Sequence, residues 1–235
     1  MSWTGAFGRA CGKLLYAIVR GLSLTRISPN ILTFTGLVIN IIAGVLFGYA
    51  SGDSQPRLFI YAGLVIVAAG IFDMVDGRVA RATHQVTTFG AFFDSVIDRY
   101  SDIALFFGLL VYYARANHFF YVVLVGIVMT TSVMVSYTRA RAESLIQSCK
   151  VGFLERPERI VLVLIGALFN RMAPVLWVIA ILSTITVIHR MWYTYQQMKP
   201  ITERELKTQA EAAESKAAAQ QAPNLNRPSP LGPAF

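Results

Sequence analysis

The chain has 235 residues, 55% of them hydrophobic and only 14% charged, with a mean hydropathy of +0.53. That balance excludes an ordinary soluble domain and points to a membrane protein. The net charge of +8 is scattered over segment ends instead of gathered in one basic domain, which argues against nucleic acid as a partner.

Residues 1–27 carry Arg9, Lys13, Arg20 and Arg26 among apolar positions rather than ahead of them, so they do not read as a cleavable signal peptide. Phe7, Leu14, Leu15, Ile18 and Leu22 fall at helical spacing, which predicts an amphipathic helix lying in the headgroup layer. Six apolar runs follow, and about 20 residues suffice to cross the hydrocarbon of a bilayer. They are Asn30–Ala50, Leu58–Val79, Gly90–Tyr113, Phe119–Leu145, Pro157–Phe169 and Pro174–Met198. The fifth is short, and its helix is expected to start within the polar segment ERPER before it. GYASGDSQP and NRMAP read as connectors. From Ile201 the composition turns to Glu, Lys, Ala and Gln and then to QAPNLNRPSPLGPAF, which predicts a short helix fraying into a disordered polar tail over 199–235. The expected fold class is thus all-α integral membrane, with a six-helix transmembrane body over 28–198.

Six spans place both termini on one side. The expected outer loops hold Arg57, Arg115 and Arg171, whereas the opposite ones hold Arg78, Arg81, Arg139, Arg141, Lys150, Arg156, Arg159, Arg190 and Lys199. The excess of cations assigns that second side to the cytoplasm. Cys11 and Cys149 fall on it, match no metal-ligand spacing and read as reduced thiols.

The segment DMVDGRVARATHQVTTFGAFFDSVIDR sets four acids among these apolar runs. A carboxylate inside a membrane helix costs roughly 2.5–3.5 kcal/mol on insertion scales, so four together need water, partners or a metal. Asp73 and Asp76 are three residues apart and share a face of one helix, while Asp94 and Asp98 are four apart and share a face of the next. Such a cluster repels itself unless a cation neutralises it, and all-oxygen ligands select magnesium or manganese over zinc. Four carboxylates suffice for two ions. Gly77 lets a ligand approach the helix backbone, and Arg81 lies one turn beyond it where it can grip a phosphate. Together these residues suggest a diphosphate held by metal ions at the cytoplasmic rim of the bilayer. The plainer alternative is a set of salt bridges, Asp73 or Asp76 with Arg78 or Arg81, and Asp94 or Asp98 with Arg99.

Asp73, Asp76, Gly77, Ala80, Arg81, Gly90, Asp94 and Asp98, at these fixed intervals, resemble the signature of the CDP-alcohol phosphotransferases. SPNILT, from Ser28 to Thr33, is similar to that family's entry to its first membrane helix, so the resemblance extends over about 28–198. It implies a six-helix membrane enzyme, commonly a homodimer, that transfers a phosphatidyl group from CDP-diacylglycerol to an alcohol and releases CMP. Carried over residue by residue, it makes Asp73, Asp76, Asp94 and Asp98 the metal ligands, with Asp98 also taking the acceptor proton as general base. Asp73, Gly77, Arg81 and Thr87 would contact the CDP moiety, with Asn30 and Thr33 closing over it.

Acceptor choice is expected to lie outside the shared signature, at Arg139 in SYTRARAE, at Arg156 and Arg159 in ERPER, and at Arg190, since arginine forks match phosphate oxygens. With GAFFDSVIDR these stretches are similar to the bacterial phosphatidylinositol phosphate synthases, which implies inositol 3-phosphate as acceptor. Two positions depart from that subgroup: Arg139 is usually a lysine there, and Thr194 stands where a further arginine is usual. Glycerol 3-phosphate, giving phosphatidylglycerol phosphate, is the alternative acceptor. A cation transporter whose acids bind the ion they carry is the alternative from another functional class.

Overall fold

The computed structural model describes residues 28–82 and 86–221, with the side chains of 76–80, 82, 215 and 217–221 outside the description. The expected amphipathic helix in 1–27 therefore lies outside the described residues. Six long helices, one short 3-10 turn and no strand make up those that are described: α1 (Pro29–Tyr49), α2 (Gln55–Ala82), α3 (Thr88–Arg115), α4 (Phe119–Glu143), α5 (Arg156–Leu168) and α6 (Met172–Gln221). All six coincide with the apolar runs to within a few residues at their starts. α5 begins inside ERPER, where Pro157 suits a first helical turn because its missing N–H would be unpaired there anyway.

Among the described residues, four helices are long and apolar enough to cross a membrane: α1, α2, α4 and α6. α3 is 28 residues long but carries Asp94, Asp98 and Arg99 in its first half and Asp102 at its middle. α5 has 13 residues and spans about 20 Å at 1.5 Å per residue, short of a ~30 Å hydrocarbon core. Residues 199–221, where a short helix is expected to open the polar tail, are helical and continue α6 without interruption through Pro200. The Glu, Lys, Ala and Gln of this stretch are strong helix formers that extend a helix already nucleated by its apolar half.

The helix pairs in contact are α1 with α2 and α3, α4 with α3 and α6, and α5 with α2 and α6. These contacts close into a ring in the order α2, α1, α3, α4, α6, α5. Its core is apolar, with Phe47, Phe59, Leu105, Leu109, Val125, Val128, Leu176 and Ile179 fully buried, and Phe47, Phe59 and Tyr112 meet edge to face at 5.0 Å between ring centroids. Large apolar side chains such as Val45, Leu64, Phe107, Ile127 and Ile181 remain exposed, as expected of surfaces that meet lipid.

Two turns at the end of the ring remote from the acids use asparagine in the left-handed region, Asn117 at φ 57 and Asn170 at φ 52, a conformation asparagine tolerates better than other side chains. Gln55 Nε2 donates to Asn170 Oδ1 at 2.6 Å, tying the α1–α2 turn to the α5–α6 turn, and Arg115 Nη1 donates to the Gly48 carbonyl at 2.7 Å. At the opposite end lie the α2–α3 connection and the long α4–α5 connection, which is pinned to α6: Thr186 Oγ1 accepts from the N–H of Phe153 at 3.1 Å and of Leu154 at 3.2 Å. Gly152 in this connection has φ 128, where a side chain is strained, and a Cβ there would press into Thr186.

α1 lies close against α3, where a Cβ built on Gly108 would overlap the Gly44 carbonyl. The side chains of Gly108→Leu have no space, and the backbones must separate. Overpacking of this kind costs about 1–3 kcal/mol, so the variant is expected to melt several degrees earlier in detergent, while Gly126→Ala, where an added Cβ meets nothing within 4 Å, serves as a control that melts with the wild type.

Candidate active site

The C-terminal half of α2 and the N-terminal half of α3 bring three of the signature acids together. One carboxylate oxygen from each of Asp73, Asp94 and Asp98 lies within 4.8 Å of the others. Asp76 and Gly77 sit on α2 between Asp73 and Arg81, and their surroundings lie outside the described residues. On α3 this is what the i, i+4 spacing of Asp94 and Asp98 requires, since that pair projects from one helix face.

The plainer alternative of salt bridges within this segment is not what forms among the described residues. Arg99 turns back along its own helix, with Nη1 bonded to the Ser95 carbonyl and to Ser95 Oγ at 2.5 Å. The cation that enters the cluster comes from α5: Arg156 Nη1 lies 3.2 Å from Asp73 Oδ2 and 2.8 Å from Asp98 Oδ1. Arg156, expected to be an acceptor contact, thus stands among the clustered acids. Its presence shows that these carboxylates accept a positive charge between them, and a set made only of carboxylate oxygens suits a hard divalent cation.

Behind Arg156 is an acid outside the four of the signature. Asp102 continues the four-residue series of Asp94 and Asp98 by one more turn, which is the signal that marks it. It is 3% exposed, and its Oδ2 accepts from Arg159 Nη2 at 2.6 Å, with Oδ1 3.6 Å from Arg156 Nε. Arg159 is 1% exposed and does not line either cavity described below. Its side chain is committed to a buried pair with Asp102 and stands apart from Arg139, Arg156 and Arg190, which line the polar cavity.

Two cavities meet at this cluster, and Asp98, Arg156 and Pro157 line both. One, of 350 Å³, is polar and is walled by α3, α4, α5 and α6, including Ser95, Arg139, Glu143, Glu155 and Arg190. The other, of 390 Å³, lies among α1, α2, α3 and α5 and is mostly apolar, with Thr33, Gly36, Leu37 and Asn40 joined by Ile66, Met74 and Leu164. Arg139 and Arg190, two of the expected phosphate contacts, are brought together in the polar cavity by Glu155. Thr194, at the position where a further arginine was sought, bonds its own helix through the Arg190 carbonyl at 2.8 Å.

Two of the expected nucleotide contacts, Asn30 and Thr87, meet at the start of α3. Thr87 caps the helix, its Oγ1 accepting from the Gly90 N–H at 2.9 Å. A Cβ on Gly90 would stand 3.0 Å from Thr87 Oγ1 and 3.5 Å from Asn30 Oδ1, so Asn30 and Thr87 converge on that glycine. Thr33 Oγ1 donates to the Pro29 carbonyl at 3.2 Å and lines the apolar cavity, and Arg81 is exposed in the last turn of α2.

The family model described as CDP-alcohol phosphatidyltransferase matches residues 26–192. The chain is 35% identical to the archaetidylinositol phosphate synthase of Pyrococcus horikoshii, over 79% of this chain and 93% of that one. It is 33% identical to the phosphatidylinositol phosphate synthase of Mycobacteroides abscessus, over 76% and 82%. The crystal structure of Mycobacterium tuberculosis phosphatidylinositol phosphate synthase with CDP-DAG bound superposes with a TM-score of 0.69 at 30% identity, covering 78% of this chain and 94% of that one. The same protein in complex with manganese and citrate superposes at 0.67 and 31%, covering 77% and 88%. The matched stretch begins just before α1 and ends within α6, so it contains both cavities and the acids between them: the chain belongs to the CDP-alcohol phosphatidyltransferase family.

Proposed function

We propose that this chain transfers the phosphatidyl group of CDP-diacylglycerol to inositol 3-phosphate and releases CMP. The observation that carries the reading is the position of Asp98 and Arg156 on the wall shared by an apolar and a polar cavity. A donor that is half lipid and half nucleotide and an acceptor that is wholly polar would meet there. The names of the relatives support the acceptor, since both synthases make an inositol phosphate lipid and differ in the lipid half.

Asp73, Asp76, Asp94 and Asp98 would hold two divalent ions, magnesium or manganese, which supply Lewis-acid polarisation of the diphosphate. Asp98 takes the proton from the acceptor hydroxyl as its oxygen bonds to the phosphorus of the phosphatidyl group. The bond from that phosphorus to the bridging oxygen breaks, and CMP leaves with the electron pair. Asn30, Thr33, Gly77, Arg81 and Thr87 hold the CDP moiety near the start of α3. Arg139 and Arg190 orient the acceptor through its phosphate, with Arg156 between the two substrates.

The wider reading is of six spans over 28–198, with α3 and α5 crossing in the company of the four more apolar helices, an interfacial helix in 1–27 and a polar tail from 199. The excess of cations at the acid-bearing end supports an active site facing the cytoplasm from the inner membrane, and the family precedent supports a homodimer. A cation carrier has no support in a family of phosphatidyltransferases.

The test is CMP release from CDP-diacylglycerol by the purified protein, across inositol 3-phosphate, glycerol 3-phosphate, inositol, glycerol and serine. Turnover is expected with inositol 3-phosphate alone, to vanish on chelation and to return with manganese or magnesium. Turnover with glycerol 3-phosphate instead would replace the acceptor and keep the reaction, and turnover that survives chelation would remove the metal from it.

A further inference from the structure

The polar cavity holds a carboxylate at the point where its arginines converge, and the reaction above gives that carboxylate no task. A single oxygen of Glu155, Oε1, accepts from Arg139 Nη1 at 2.9 Å and from Arg190 Nη2 at 2.9 Å. The two arginines are fixed independently of it. Arg190 is 1% exposed, with Nε bonded to the Val151 carbonyl at 2.7 Å and Nη1 to the Val135 carbonyl at 2.5 Å. Arg139 Nε is held by Glu143 Oε1 at 3.2 Å. The Glu155 side chain, by contrast, is 44% exposed. Two braced guanidinium groups therefore converge on one anionic oxygen carried by a side chain open to the cavity. A phosphate oxygen makes the same pair of charge-assisted bonds.

We propose that Glu155 is a selectivity residue that competes with the acceptor: its carboxylate occupies the phosphate position between Arg139 and Arg190, and only an acceptor able to displace it gains the pocket. The inference rests on reading the polar cavity as the acceptor-phosphate pocket. A carboxylate brings one negative charge, whereas a phosphate monoester brings about −1.5 to −2 and three acceptor oxygens, so a phosphorylated acceptor wins the exchange. A neutral polyol has no charge with which to replace two ion pairs, and the carboxylate keeps it out. Glu155 also precedes α5, its backbone N–H held by Glu158 Oε2 at 3.0 Å, so a purely structural role at the helix start is the rival account and the experiment must separate the two.

Binding of inorganic phosphate to the full-length protein, measured by calorimetry, does so without turnover. Losing the competing charge is expected to tighten phosphate binding on the order of tenfold in Glu155→Gln, the scale of two partly exposed ion pairs, and to lower KM for the phosphorylated acceptor. Glu155→Asp keeps the charge at the helix start but withdraws the oxygen by one methylene, and is expected to bind phosphate with intermediate affinity; it also carries the test if the glutamine variant does not fold. Phosphate binding that is unchanged or weaker in the variants, or absent in all three proteins, overturns the proposal. A wild type that binds phosphate yet does not use inositol 3-phosphate overturns the acceptor proposed above and leaves this comparison intact.

Discussion

Asp98→Asn is expected to lower the rate of CMP release by about 10² to 10⁴, the usual contribution of a positioned general base, while the protein still purifies and melts near the wild type. Asparagine keeps the shape of the side chain and a neutral oxygen, so what it removes is the negative charge and the ability to take the acceptor proton. The position supports this assignment over the other acids. Asp98 lines both cavities, whereas Asp73 lines only the apolar one, and its side chain is 20% exposed against 41% for Asp73. Asp94→Asn provides the contrast. As a metal ligand without the base role, it is expected to lose activity that high manganese partly restores, whereas high manganese leaves Asp98→Asn slow. Equal restoration of both variants would make Asp98 a ligand only and return the base to another group.

Asp102→Ala has the largest expected effect on stability. Removing one partner of a buried ion pair strands the other charge, at a cost of about 3–5 kcal/mol. Here the stranded group is Arg159, 1% exposed, whose Nε and Nη1 already lack hydrogen-bond partners. The variant is expected to lose most of its folded yield or to melt far earlier in detergent. Arg159→Met in the same chain removes the stranded charge, and the double variant is expected to recover most of the loss, because a buried pair replaced by apolar side chains of similar volume is often neutral. A double variant as unstable as the single one would show that Asp102 acts through something other than Arg159. CMP release by the stabilised double variant then reports on Arg156, whose Nε lies 3.6 Å from Asp102 Oδ1: activity lost while stability returns identifies Asp102 as the residue that positions Arg156 between Asp73 and Asp98.

The sequence by itself determined the helices and the acid faces. Each helix start lies within a few residues of an apolar run, because both the hydropathy of a segment and the helical pairing of its backbone are local properties. The convergence of Asp73, Asp94 and Asp98 was likewise legible, since acids on consecutive helices joined by a few residues leave few ways to arrange them. Asp102 carried the same signal one turn further on. The turns at Asn117 and Asn170 gave less warning, because an asparagine in a connector fits many conformations.

Only the tertiary structure decided which charges meet. Arg99, next in the chain to Asp98, bonds Ser95, while Arg156, far away in sequence, enters the acids from α5. Arg159 and Arg156 lie three residues apart on one helix start, yet one is sealed against Asp102 and the other reaches both cavities. Glu155, one residue before Arg156, turns to Arg139 and Arg190. The physical reason is that a helix fixes the angular spacing of its own side chains but not its rotation against its neighbours. That rotation is set by packing, as where Gly44 and Gly108 bring α1 and α3 together and Thr186 pins the α4–α5 connection to α6, and it selects the partners of Glu155, Arg156 and Arg159.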